Sequence, residues 1–68
     1  MTDTFELEKK IREKGLTKSE VAKHLGLSLN GFVLKLNNRN EFKASEIQCL
    51  CELLNLTDNS IFFKESVN

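Results

Sequence analysis

The stretch "TKSEVAKHLGLS", Thr17 to Ser28, restricts the fold more than any other part of this sequence. Its first four residues form a capping-box pattern, in which the threonine hydroxyl accepts from the amide of Glu20 and the glutamate accepts from the amide of Thr17. Gly26 permits the positive φ of a sharp turn, and Ser28 is a good N-cap for a second helix. The stretch therefore predicts two short helices joined by a tight turn. The buried stripe of the first of them is predicted to consist of Val21, Ala22 and Leu25.

The rest of the sequence predicts three more short helices and no strand, so we expect one all-α domain of five helices over residues 1–68. No proline interrupts the chain and no apolar residues alternate as in a strand. Gly15 is predicted to end the first helix and Asn55 the fourth, both in the left-handed conformation. A last short helix is predicted at 57–63, capped by Thr57, before a frayed tail at 64–68. The apolar positions of the first helix are Phe5, Leu7 and Ile11, and those of the fourth, which begins near Ser45, are Ile47, Leu50, Cys51 and Leu54.

Charge is distributed unevenly along the 68 residues. The net charge is zero, but residues 9–43 hold nine lysines and arginines against three acids, whereas residues 1–8 and 44–68 are acidic. A basic middle suits a polyanionic partner, with a scatter of solvating charges as the alternative. Since 40% of the residues are hydrophobic and no apolar run could span a membrane, we expect a globular protein in a cytoplasm, without a signal peptide.

The residue types that usually carry catalysis are scarce. Cys49 and Cys51 lie about 200° apart on a helix and cannot easily bridge, so we expect reduced thiols, with a Cys-x-Cys metal half-site as the alternative. The single histidine, His24, is predicted to be exposed on the second helix. With no convincing nucleophile and base and no glycine-rich phosphate loop, we expect no enzyme activity, cofactor, metal or small-molecule substrate.

Taken together, these signals form a known pattern. "LTKSEVAKHLGLSLNGFVLKLNN", residues 16–38, resembles the helix-turn-helix of the lambda-repressor/Cro (XRE) family, and the resemblance continues through "FKASEIQCLCELLNLTDNSIFF". Within it, Ala22 stands where the two helices approach and Gly26 stands at the turn. The apolar residues that would lock the pair together are Val21, Leu25, Leu27 and Phe32. The chain is most similar to short Cro-like regulators of phages of Gram-positive bacteria.

The resemblance implies a lambda-repressor-like fold with the helix-turn-helix at about residues 17–37, in the second and third helices. It implies a sequence-specific transcription regulator, a Cro-like phage or prophage repressor that binds a palindromic double-stranded DNA operator as a homodimer. Two positions depart from the family pattern. Lys18 replaces a glutamine that donates to a phosphate, and Lys35 replaces a buried aliphatic residue, whose packing we expect Leu36 to take over.

A helical wheel indicates which side of the third helix faces outward. Phe32 and Leu36 define the core side, and Leu34 lies about 180° away from it. Asparagine can bond adenine and an apolar side chain can contact the thymine methyl in the major groove, although single exposed leucines are also common without function. Gly31 serves either close packing or the approach of the DNA backbone. The predicted base contacts, including those that follow from matching family positions, are Ser28, Leu29, Asn30, Val33, Leu34 and Asn37.

Two further sets of residues complete the functional hypothesis. The predicted phosphate contacts are Lys18, Lys35, Asn38 and Arg39. The predicted dimer interface is the apolar C-terminal end, with Phe62, Phe63 and Val67. Ile61 and one of the two phenylalanines are expected to close the core, which leaves the other phenylalanine for a partner. A different class of function stays open, because an apolar outward face and zero net charge also suit a protein-interaction module. Such a module, an anti-repressor or modulator, would bind another regulator through the same face.

Overall fold

Residues 1–65, which the computed structural model describes, form four α-helices, one 3-10 helix and no strand. The α-helices are α1 (Thr4–Glu13), α2 (Lys18–His24), α3 (Leu29–Leu36) and α4 (Ala44–Leu53), and the 3-10 helix spans Ser60–Phe63. The all-helical prediction is therefore confirmed for these residues. None of their helices is long and apolar enough to cross a membrane.

The prediction of a fifth α-helix at 57–63 was wrong. The carboxylate of Asp58 accepts from both the amide and the hydroxyl of Ser60, at 2.9 and 2.7 Å, so the residues after Thr57 form a turn. The amide of Phe62 then donates to the carbonyl of Asn59 at 3.0 Å. This i→i+3 bond belongs to a single 3-10 turn, which ends before Lys64 takes an extended conformation.

All four α-helices end in the same type of C-cap. The residue after each cap has positive φ, between 56° and 72°, and the next amide donates back to a carbonyl of the last turn at 2.8 to 3.1 Å. This is the Schellman motif. The positive-φ residues are Gly15, Gly26, Asn38 and Asn55, which confirms the three predicted at 15, 26 and 55. The residues that follow them are Leu16, Leu27, Arg39 and Leu56; the three leucines pack against the core and Arg39 is exposed.

Every helix contributes to one core. Among the helices, α2 and α3 make the most extensive contact with each other, and Val21 and Ala22 of α2 are buried. Phe32 of α3 stacks obliquely on Phe42, 6.1 Å between ring centroids, and Phe42 meets Phe62 edge-on at 5.6 Å. This row of aromatic rings connects α3 to the 3-10 helix. The buried apolar residues are Leu7, Ile11, Val21, Ala22, Phe32, Leu36, Leu50, Leu54 and Phe62.

The structure corrects the position of Phe5 and decides which of Phe62 and Phe63 closes the core. Phe5 is 73% exposed, because it precedes Leu7 by two residues and so points about 200° away from the buried side of α1. Phe62 is only 5% exposed, so it belongs to the core and offers no surface to a dimer partner, whereas its neighbour Phe63 is 61% exposed. Val67, the third predicted interface residue, lies outside the described residues.

The first four residues connect the end of α3 to the 3-10 helix. Thr2 donates its amide to the side-chain oxygen of Asn38 at 2.7 Å and accepts from the side-chain nitrogen of Asn38 at 2.9 Å. Thr4 donates its hydroxyl to the carbonyl of Leu36 at 2.6 Å, and the amide of Asp3 donates to the carbonyl of Ile61 at 2.7 Å. The C-terminal end of α3 is therefore held by directional bonds as well as by packing.

Candidate nucleic-acid interface

The turn between α2 and α3 is stabilised at both of its helix ends. The capping box that starts α2 is present, since the hydroxyl of Thr17 accepts from the amide of Glu20 at 3.1 Å and the carboxylate accepts from the amide of Thr17 at 2.9 Å. Hydrogen bonding of the Glu20 carboxylate to the backbone amide of Thr17, and next to the Thr17 side chain, lowers the pKa of Glu20. At the other end, the amide of Leu27 donates to the carbonyl of Ala22 at 2.9 Å and closes the turn at Gly26. The start of α3 is thus fixed relative to α2 by backbone bonds.

The outward side of α3 agrees with the helical wheel. Phe32 and Leu36 are fully buried, whereas Leu34 is 37% exposed and Leu29 at the first turn is 48% exposed. Five of the predicted base contacts are exposed, and Val33 at the flank is half-buried. The exposed residues are Ser28, Leu29, Asn30, Leu34 and Asn37. They present amide, hydroxyl and apolar groups together, without a charged side chain among them.

Ser28 and Gly31 form a local unit at the start of α3. The hydroxyl oxygen of Ser28 accepts from the amide of Gly31 at 3.0 Å and so caps the helix. A Cβ at position 31 would lie 3.1 Å from that oxygen, closer than an ordinary contact. Gly31 therefore leaves room for the cap, which is a packing role, while the hydroxyl proton of Ser28 is still available for donation.

Lys18 and Arg39 are the predicted phosphate contacts whose charged ends are accessible. The ammonium of Lys18 lies 2.7 Å from the carboxylate of Glu8, with the two side chains 45% and 29% exposed. Such a solvated pair contributes little, about 0–1 kcal/mol, so a phosphate can replace the carboxylate at small cost. Arg39 is exposed, and its amide is anchored on the carbonyl of Leu34 at 2.8 Å. The two residues therefore lie at opposite ends of the α2–α3 segment, Lys18 at its start and Arg39 beyond its end.

Lys35, unlike Lys18 and Arg39, has a largely enclosed side chain. Its ammonium donates to both carboxylate oxygens of Glu46, at 2.6 and 2.9 Å, and the two side chains are only 12% and 9% exposed. One of the same oxygens accepts from the amide of Lys43 at 2.8 Å, so Glu46 also caps the start of α4. The prediction of a phosphate contact at Lys35 is corrected to an internal ion pair. Glu46 was not singled out from the sequence, although its position three residues after Lys43 is that of a capping-box acid.

Asn38 is exposed, but its side chain makes hydrogen bonds within the molecule. Its backbone has φ of 63° at the end of α3, and its side-chain amide is paired with the backbone of Thr2 as both donor and acceptor. Asn38 therefore forms a structural link between α3 and the N-terminal segment that the sequence did not predict, and its phosphate contact stays a prediction. Its place at the end of a helical pattern is the signal that indicates positive φ, but no sequence pattern indicates Thr2 as its partner.

Lowering the pH should reduce the stability of the folded protein through the carboxyl of Glu46. Burial raises the pKa of this carboxyl, but the hydrogen bonds from Lys35 and from the amide of Lys43 outweigh burial and lower it below its ordinary value. A lowered pKa in the folded state stabilises the fold at neutral pH, and this stabilisation is lost as the pH falls from about 5 through the folded-state pKa.

We expect Glu46→Gln to cost about 1–2 kcal/mol at pH 7, where it removes charge-assisted bonds to Lys35, and to cost progressively less as the pH falls below the ordinary pKa of a glutamate. Urea unfolding of both proteins across this range measures the difference. The matched control is Glu20→Gln, at an exposed capping box, which should change stability less at every pH. A cost at position 46 that stays constant with pH would contradict the assignment.

The cysteines belong to α4 and the histidine to the end of α2. Cys49 and Cys51 are free, and each thiol approaches a carbonyl at 3.8 Å, that of His24 for Cys49 and that of Asp58 for Cys51. Burial raises the pKa of the Cys51 thiol, with further contributions from the charges of Asp58 and Glu52. His24 is exposed, as predicted. Residues 1–65 contain no group of three acidic, cysteine or histidine side chains that could hold a metal ion.

A second apolar surface surrounds Phe63. This side chain lines two shallow clefts, one of about 470 Å³ shared with α4 and one of about 320 Å³ shared with Met1 and Phe42. Met1 is 57% exposed. Phe63 is therefore the predicted interface residue that the described structure leaves available, and Ile47 of α4 lines both clefts beside it.

Comparison with known proteins gives a family but no characterised relative. The model of the family described as "Protein of unknown function (DUF739)" matches residues 1–65. Comparisons with curated proteins and with solved structures give no match. Because the family model covers nearly the whole sequence, the chain belongs to the DUF739 family.

Proposed function

We propose that this protein is a sequence-specific DNA-binding transcription regulator of the Cro-like phage or prophage repressor type, in which α2 and α3 form a helix-turn-helix and α3 enters the major groove. The observation that carries the proposal is the outward side of α3. It exposes Leu29, Asn30 and Leu34 on a helix whose two ends are held by hydrogen bonds, with the exposed cation Arg39 directly beyond its C-terminal end.

The chemistry of this side favours A·T base pairs. Adenine presents N6 and N7 to an asparagine amide, and thymine presents its methyl group to an apolar side chain. Asn30 and Leu34 therefore carry the base contacts in the proposal, with Leu29 and Ser28 at the start of α3 and Asn37 at its end. Lys18 and Arg39 contact phosphates, which position the protein and give salt-dependent affinity without choosing sequence.

One copy of α3 spans only a few base pairs, so we propose that two protomers bind a palindrome with half-sites about one helical turn apart. The Phe63 surface is the proposed contact between them, because Phe63 and Met1 are large exposed apolar side chains beside shallow clefts. Monomeric binding at micromolar concentration would contradict this part of the proposal.

A protein-interaction module is the second candidate function. The exposure of Leu29 and Leu34 favours it, since two apolar side chains on one helix face also suit a groove in another regulator. Two of the cations in the basic segment are paired with acids from outside it, Lys18 with Glu8 and Lys35 with Glu46, which weakens the field that would attract DNA.

Titration of the protein against DNA separates the two candidates. We expect tight binding to one duplex from the region flanking its own gene, or to a duplex selected from a random pool, at least 10³-fold tighter than to an unrelated duplex. Affinity for both duplexes should fall as salt rises, because lysine and arginine release counterions from DNA. A gel-shift series at several salt concentrations measures this. Failure to prefer any duplex would exclude the DNA-binding proposal and leave the module.

A further inference from the structure

We propose that the Lys35–Glu46 ion pair positions the outward side of α3, so that Lys35 acts on DNA sequence preference through the helix and not through a phosphate. This inference rests on the proposed function. It makes Lys35 and Glu46 positioning residues, at a place where the sequence alone indicated a surface contact.

The pair connects three parts of the structure through one carboxylate. Glu46 accepts two hydrogen bonds from the ammonium of Lys35, at 2.6 and 2.9 Å, and one from the amide of Lys43, at 2.8 Å. It therefore joins α3 to the first turn of α4 and holds the end of the loop between them. Arg39 lies in that loop, and Asn38 holds the loop's beginning through Thr2.

The pair adds a side-chain bond on α3 itself to the directional bonds that Thr4 and Asn38 make at the C-terminal end of this helix. Phe32 and Leu36 keep one side of α3 buried, but apolar burial is non-directional and tolerates a small rotation about the helix axis. Side-chain ends lie about 5–6 Å from the axis, so a rotation of about 10° moves the end of Leu34 by about 1 Å. A recognition site needs its groups placed to within about 0.5 Å, so a contact that limits this rotation affects which bases are recognised.

The enclosure of Lys35 argues against a phosphate contact. Two of the three ammonium protons are committed to Glu46, and the side chain is 12% exposed. A phosphate could take the ammonium only by leaving the enclosed carboxylate of Glu46 without its cation, which is costly. Arg39, whose side chain is exposed, faces no such cost.

The double variant Lys35→Met/Glu46→Gln tests the inference. Glutamine can still accept from the amide of Lys43, as in other capping boxes, and methionine replaces the lysine stem as far as Cε without the ammonium, so no enclosed charge is left unpaired. Two quantities are measured on the selected duplex and on an unrelated duplex: the ratio of the dissociation constants and the slope of log affinity against log salt. We expect the ratio to fall about tenfold, as for one mismatched base pair, with the slope and the nonspecific affinity unchanged.

Arg39→Met is the matched control. It should reduce the salt slope by about 1 and weaken binding to both duplexes alike, leaving the ratio unchanged. A folded double variant with the wild-type ratio would overturn the inference, as would a double variant that behaves like Arg39→Met. Should the double variant not fold, Glu46→Gln alone is measured in the same way and has the same two overturning outcomes. Wild-type protein that prefers no duplex would instead overturn the proposed function itself, together with this inference.

Discussion

Phe32→Ala is expected to lower the free energy of unfolding by about 3–5 kcal/mol, the usual cost of emptying a phenylalanine site in a core. Phe32 is fully buried on α3 and begins the row of aromatic rings that reaches Phe62 through Phe42. A domain of this size has roughly 3–10 kcal/mol of stability in total, so the variant should be largely unfolded in mild urea, and in water if the total lies at the low end. Urea unfolding followed by circular dichroism measures the change.

The matched control for this prediction is Phe5→Ala. Phe5 is 73% exposed, so its replacement should change stability by no more than about 0.5 kcal/mol. The two variants remove the same side chain from the same small protein and differ in burial. Equal effects of the two would contradict the core described here.

The second large effect is expected on sequence preference. Asn30→Ala and Leu34→Ala should each lower the preference for the selected duplex, and the pair together should lower it about 100-fold, because a good base contact contributes about 1–3 kcal/mol of discrimination. Nonspecific binding should persist, since phosphate contacts supply it. Competition gel shifts with selected and unrelated duplexes give both numbers.

Phe5→Ala serves as the control for these variants, because it removes an exposed side chain from α1. It should leave both affinities unchanged. Unchanged preference in the Asn30 and Leu34 variants would exclude α3 as the recognition helix. A different outcome is that the wild-type protein binds no DNA duplex specifically and the two variants lose binding to a partner protein. That result would favour the protein-interaction module over the DNA-binding regulator.

Much of the backbone could be predicted, because helix ends depend on local chemistry. The capping box at Thr17 and Glu20 and the positive φ of Gly15, Gly26 and Asn55 each follow from two or three neighbouring residues. The buried positions Phe32 and Leu36 also follow from spacing, and with them the exposure of Leu34. For this reason the outward side of α3 was correctly assigned for most of its residues.

The sequence did not predict hydrogen-bond partners that are distant along the chain, nor which of two adjacent apolar residues is buried. Lys35 and Asn38 have the residue types of phosphate contacts, but Glu46 lies 11 residues after the first and Thr2 lies 36 residues before the second. No local pattern indicates such partners. Phe62 and Phe63 are adjacent apolar residues, and only the path of the 3-10 helix decides which of them enters the core.

The most direct test of base recognition by α3 changes the DNA as well as the protein. Each thymine of the selected duplex is replaced in turn by deoxyuridine, which lacks the methyl group that Leu34 is proposed to contact. We predict that one replacement weakens binding of the wild-type protein about fourfold, the effect of about 0.8 kcal/mol for one buried methyl group, and has no effect on Leu34→Ala. If every replacement affected both proteins equally, or none affected either, Leu34 would not contact a thymine and the account of α3 as a reader of A·T pairs would be contradicted.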